Sequence, residues 1–219
     1  LLVHLGDALV RQVPRVERVI TVSGSRDGTT AVGSPALSGR GHHYARIPLR
    51  GPSTGAATAW PLRVQARRGI RRVLRAAGRV DVVHLRMADV GSMVAAEVAA
   101  DLGIPVVLTV APDPQALIAA READGSLTRS GFGEADRVEH LWFRDRLLRR
   151  LADQAEHLVL FPRPDVERSI SRLVGIDVAA QPERVVVIGE GIDLAALERV
   201  AKEVAGDVPR SPHTHAALE

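Results

Sequence analysis

The side chains able to do chemistry cluster where apolar runs end. His84 and Arg86 close the run Val80–Arg86, and Asp89 follows three residues later. An imidazole can hold or move a proton near neutral pH, and a guanidinium offers paired N–H donors to a phosphate or carboxylate. Each residue also has a plainer role. His84 suits a buried structural position, and Asp89 suits the N-cap of a helix opening near Gly91, accepting an orphan N–H. The run Pro105–Ala111 ends in Thr109-Val110-Ala111-Pro112-Asp113-Pro114, where Asp113 before Pro114 fits a helix start. Arg163 lies just past His157–Pro162, and Gly189-Glu190-Gly191 follows Arg184–Ile188. That last triplet is either a tight turn or a carboxylate on a flexible backbone beside a ligand. If the runs are parallel strands, His84, Ala111, Arg163, Glu190 and Gly191 gather at one edge, where open α/β sheets bind ligands. Arg86 and Arg163 then face one rim as an anion site, or else form a solvated surface pair.

Other chemistries lack their residues. There are no cysteines, which excludes a disulfide scaffold, a thiolate nucleophile and a cysteine-ligated zinc site. No G-x-x-x-x-G-K-[ST] loop and no strand-borne G-x-G-x-x-G is present. His42-His43 and the pair His213 and His215 have no carboxylate partner at ligand spacing, so no metal is expected. Nothing resembles a nucleophile elbow.

The elements that must position these residues alternate. Strands are predicted at Glu17–Ser23, His42–Pro48, Val80–Arg86, Pro105–Ala111, His157–Pro162 and Arg184–Ile188. They are nearly continuous apolar runs, as strands covered on both faces must be. Helices are predicted at Leu1–Gln12, Pro61–Ala77, Gly91–Leu102, Gly133–Ala155, Pro164–Leu173 and Leu194–Val204. Alternation of this kind gives a doubly wound α/β domain, Rossmann-like, with a mostly parallel sheet and helices on both faces. Gly24–Gly41, Gly51–Ala59 and Arg121–Gly133 read as loops. The domain is expected to span 1–205, with 206–219 a linker. Leu2, Leu5, Leu9 and Val13 open the chain on a helical pattern where such a domain normally opens on a strand, so that first strand is expected to be missing.

The chain has 219 residues, 46% hydrophobic and 25% charged, the balance of a globular domain able to bury its own core. Net charge is only +3 from 29 basic and 26 acidic residues, and aromatics are 3%. Both values argue against a nucleic-acid binder, which needs a basic field and stacking platforms. No apolar run approaches the ~20 residues of a membrane span, and the first ten residues lack signal-peptide features.

Asp81-Val82-Val83-His84, Ala88-Asp89-Val90-Gly91, Leu102–Thr109, Phe161-Pro162-Arg163-Pro164-Asp165 and Pro182–Asp193 follow one another in an order that resembles the N-terminal domain of family 4 retaining glycosyltransferases of the GT-B fold, in particular the sucrose synthase and sucrose-phosphate synthase branch. The similarity covers most of residues 60–200. It implies the acceptor-binding half of a cytoplasmic hexosyltransferase, inactive by itself, with a second domain that binds a nucleotide-sugar donor of UDP- or ADP-glucose type. That donor domain and a small sugar or sugar-phosphate acceptor are the implied partners, and no cofactor is implied for this segment. Arg163 carries over as a phosphate or hydroxyl contact, with Arg86, His84 and Asp89 beside it and Ala111, Glu190 and Gly191 lining the cleft. The sequence departs from the family where Val110-Ala111 replace Gly-His after Thr109, and where Arg86-Met87 replace His-Tyr. These departures suit either a different acceptor or a catalytically silent regulatory module.

Overall fold

The computed structural model describes residues 2–25, 37, 39–49, 60–110, 123–125, 145–162 and 166–189. Their elements run α1 (Leu2–Gln12), β1 (Arg18–Ser25), β2 (Gly41–Pro48), a 3-10 turn (Trp60–Leu62), α2 (Arg63–Ala77), β3 (Val83–Leu85), α3 (Val90–Asp101), β4 (Val106–Thr109), α4 (Asp145–Gln154), β5 (His157–Leu160), α5 (Val166–Val174) and β6 (Val185–Val187). Each coincides with an element expected from the sequence. The expected helix Leu194–Val204, the 206–219 linker and most of the three long loops lie outside the described residues. Residues 1–188 form one compact unit.

Every strand pair is parallel and helices flank the sheets, which makes the fold doubly wound α/β. The pairing divides in two: β1 with β2, and a four-stranded sheet in the order β3-β4-β5-β6. In the first sheet Ala45 and Ile47 of β2 point to one face and pack with Ala66, Ile70 and Val73 of α2. That spacing in α2 is the apolar stripe of an amphipathic helix. α2 approaches closely because position 69 is glycine; a Cβ there would lie 2.9 Å from Pro48 Cδ. His42 points to the opposite face and meets Asp7 of α1.

The four-stranded sheet presents Leu85, Val106, Leu108, Leu158, Leu160 and Val185 to a core closed by α3, α4 and α5. Helix α3 serves both cores. Ala96 and Ala99 pack toward the four-stranded sheet, while Val90, Met93, Val94 and Val98 pack with α2 and β2. Its ends follow from local sequence. Asp89, in an extended conformation, caps the start, and Gly103 at φ 65 turns the chain out. Ile104 N–H then bonds Ala99 O at 2.9 Å, and Pro105 cannot continue the helix. The strands of the four-stranded sheet are shorter than the apolar runs. β3 begins only at Val83, whose N–H makes a ladder bond to Pro105 O.

Arg184 fastens the last strand to α4. Its guanidinium donates to the carbonyls of Ala152 and Ala155, the latter at 2.9 Å, and to Gln181 Oε1 at 3.0 Å. Ala152 lies in the last turn of α4 and Ala155 just past it, both buried, and carbonyls at a helix end lack intrahelical donors. On the outside, Arg67 and Arg71 of α2 and Arg150 of α4 converge on Glu97 and Asp101 of α3. Among the described residues no helix is long and apolar enough to cross a membrane.

Candidate functional site

Parallel pairing brings the carboxyl ends of β3, β4, β5 and β6 to one edge. His84 pairs with Val107 in register, so it shares a face with Thr109, two residues further along β4. The result is a bond of 2.7 Å between His84 Nε2 and Thr109 Oγ1. Thr109 is buried, whereas His84 is exposed. The imidazole pKa is lowered below the ordinary 6.5, chiefly because burial disfavours the charged ring, and further because Arg86 places a positive charge nearby. A neutral imidazole offers one donor and one acceptor, so the His84–Thr109 pair is suited to hydroxyl groups, and Arg86 supplies positive charge for an anion.

Asp89 takes the plainer of its two roles. Its Oδ1 accepts the Ser92 N–H at 2.7 Å, which caps α3 at this same end of the sheet. The ladder continues past the strands: Val110 N–H bonds Val159 O at 3.0 Å, and Ile188 N–H bonds Leu160 O at 2.8 Å. Ala111, Arg163, Glu190 and Gly191 lie outside the described residues. Of the expected site residues, the structure therefore brings His84 and Arg86 together and gives Asp89 to the helix.

One polar cluster has no counterpart in the sequence reading. His42 Nδ1 bonds Asp7 Oδ1 at 2.9 Å, and its Nε2 bonds Thr21 Oγ1 at 2.8 Å. His42 has no carboxylate partner at ligand spacing in the sequence; the fold supplies one from α1, 35 residues earlier. Tyr44 adds a ring contact at 4.5 Å. The His42 side chain is 4% exposed, so this cluster pins α1 to the sheet. His43 bonds the Gly39 carbonyl at 2.9 Å. No group of three or more potential ligand side chains occurs among the described residues.

The parallel α/β unit is of the doubly wound class, in which the carboxyl edge of the sheet is where ligands generally bind. Its family is more specific. Residues 2–191 match the Glycosyl transferase 4-like domain, and the chain belongs to that family. No curated protein matches the sequence. Among solved structures the chain is similar to a UGT transferase from Siraitia grosvenorii crystallised in complex with UDP, at 12% identity and a TM-score of 0.47. The similarity covers 94% of this chain and 51% of that one, so the chain spans about half the length of that structure.

Proposed function

We propose that this glycosyltransferase domain is the acceptor-binding half of a cytoplasmic enzyme that moves a sugar from a nucleotide-sugar donor, of UDP- or ADP-glucose type, to a sugar, sugar phosphate or other small acceptor. The observation that carries the reading is the His84–Thr109 pair beside Arg86 at the carboxyl edge of the sheet. His84 is held neutral, so it can orient a sugar hydroxyl as donor or acceptor without attracting a counter-ion. Arg86, with Arg163 as its expected companion, would hold an acceptor phosphate. Such contacts act by positioning the hydroxyl for attack, which can supply a large part of a transfer barrier. Donor binding and the stabilisation of developing charge fall to a second domain. The resemblance to the sucrose synthase branch favours a sugar-phosphate acceptor.

Calorimetry with sugar phosphates and with sulfate, on the wild-type chain and on Arg163→Ala, tests the anion site. Loss of a charge-assisted contact should weaken sugar-phosphate binding about 10–100-fold, since about 1.4 kcal/mol is tenfold. Equal binding by the two proteins would remove Arg163 from the site. Ala111, where the resembled family has histidine, supports a second reading as a catalytically silent module. A chain joined to a competent donor domain that binds acceptor yet transfers no sugar would favour that reading.

A further inference from the structure

Thr109 is a buried polar residue at the end of a strand that is otherwise Val106, Val107 and Leu108. Valine has nearly the same shape, so the hydroxyl is what sets this residue apart. Among the described residues Oγ1 makes one hydrogen bond, the 2.7 Å contact with His84 Nε2. A hydroxyl carries one donor and two acceptor sites, and a neutral imidazole carries one of each. Two arrangements of protons fit that contact. If Nε2 holds the ring proton, it donates to Oγ1, and the threonine proton is left with no acceptor among the described residues. If Nε2 is bare, Thr109 donates to it and no buried donor is left over. A buried donor without an acceptor forfeits the bond it had with water, so the second arrangement is the stable one. The other ring nitrogen does not oppose this choice. Nδ1 has no bond among the described residues, and His84 is exposed, so water can serve Nδ1 in either state.

We infer that Thr109 is a positioning residue: it donates to His84 Nε2 and holds the neutral ring as the Nδ1–H tautomer, so that the ring offers a ligand a donor and no acceptor. Protonating Nε2 would force the Thr109 hydroxyl to turn round and lose its acceptor. The bond therefore opposes the charged ring, in the same direction as burial and Arg86.

The tautomer decides what the site can read. With its bare nitrogen taken by Thr109, His84 is not the base that removes a proton from an attacking hydroxyl. It acts as a donor, and the positive charge of Arg86 lies close enough to bear on its titration. A donor beside a positive charge favours an anionic oxygen over a neutral one. The group taken here is thus a phosphate or carboxylate carried by the acceptor, while the sugar hydroxyls are read by other residues. This ligand class rests on the acceptor-site reading; the tautomer does not.

Long-range 1H–15N correlation spectra of the 15N-labelled chain show directly which ring nitrogen carries the proton. They are recorded well above pH 6.5, where the ring is neutral, with His84→Gln to assign its signals. The wild-type ring should show Nδ1 protonated and Nε2 bare. Thr109→Val should give a mixture of both tautomers, and Thr109→Ser should restore the wild-type pattern. The His42 signals should be the same in every variant, which reports that the fold is kept. A wild-type ring protonated at Nε2 would overturn the inference, as would a Thr109→Val ring that stays wholly Nδ1–H. Titration with glucose 6-phosphate, glucuronate and glucose then reads the ligand class. The two anionic sugars should shift Nδ1 saturably and more than glucose does. Thr109→Val should bind the better of them about two- to tenfold more weakly, the worth of one hydrogen bond in affinity. Equal binding by the two proteins would overturn the role of Thr109 in recognition, and glucose acting as strongly as the anionic sugars would overturn the ligand class. An Nδ1–H ring that none of the three moves would overturn the acceptor reading at this edge and leave the tautomer standing.

Discussion

Two neighbours of unequal weight set the protonation of His84. Burial lowers the pKa most, and Arg86 adds to it. An imidazole titration by NMR should therefore place the wild-type midpoint below 6.5. In Arg86→Gln the midpoint should rise but stay below that value; a full return would make Arg86 the larger cause. The sign of the stability effect follows. A depressed folded pKa means the unfolded chain binds the proton more readily, so the contribution of His84 is intact above its unfolded pKa and is lost as pH falls through the lowered folded value. His84→Gln should flatten that part of the pH–stability profile. Asp89→Ala removes the α3 cap and should cost about 0.5–2 kcal/mol in urea unfolding, with Asp89→Asn largely preserving the cap. His84 and Asp89 were legible because a strand end and a helix start are written in consecutive residues. Thr109 as the partner of His84 was not, because their contact depends on the register between β3 and β4.

Helices and strands are held in place by contacts that local sequence does not reveal. In α1, Gly6 faces the His42 ring, and a Cβ there would lie 2.7 Å from Nδ1. Gly6→Ala should destabilise by about 1–3 kcal/mol, as overpacked sites do, by displacing a ring that bonds Asp7 and Thr21. In a His42→Ala background the same change should be neutral or stabilising, since alanine favours helix over glycine by about 1 kcal/mol. Additive costs in this double-mutant cycle would mean the two positions do not meet. Arg184→Met should weaken the junction of α4 and β6 by about 1.5–3 kcal/mol, the range for bonds with one charged partner; an unchanged unfolding midpoint would show the α4 carbonyls well served by water. The existence and type of these elements were legible from Val-rich runs and helical spacing. Their ends were less so: β6 keeps just Val185–Val187 of the apolar run, with one further ladder bond from Ile188 N–H beyond it.

Over the whole molecule, alternation of strands and helices foretold a parallel, doubly wound fold, and sequence order put His84 and Arg86 at the carboxyl end of β3. Apolar periodicity carries no information on which strands pair, so the division into two sheets was not legible. The +3 net charge conceals a lattice in which Arg67, Arg71 and Arg150 meet Glu97 and Asp101 across three helices. Exposed pairs of this kind contribute about 0–1 kcal/mol each, so the lattice bears on solubility more than on stability. The central claim is that a sugar acceptor binds at the edge marked by His84. The most direct measurement follows the imidazole nitrogens of the chain by NMR during titration with glucose 6-phosphate, glucose and sulfate. The account predicts a saturable shift of the His84 resonances with the sugar phosphate, a weaker response to glucose or sulfate alone, and no movement of His42. A His84 signal that none of these ligands moves at millimolar concentration, while it still titrates below its ordinary pKa, would contradict an acceptor site at this edge.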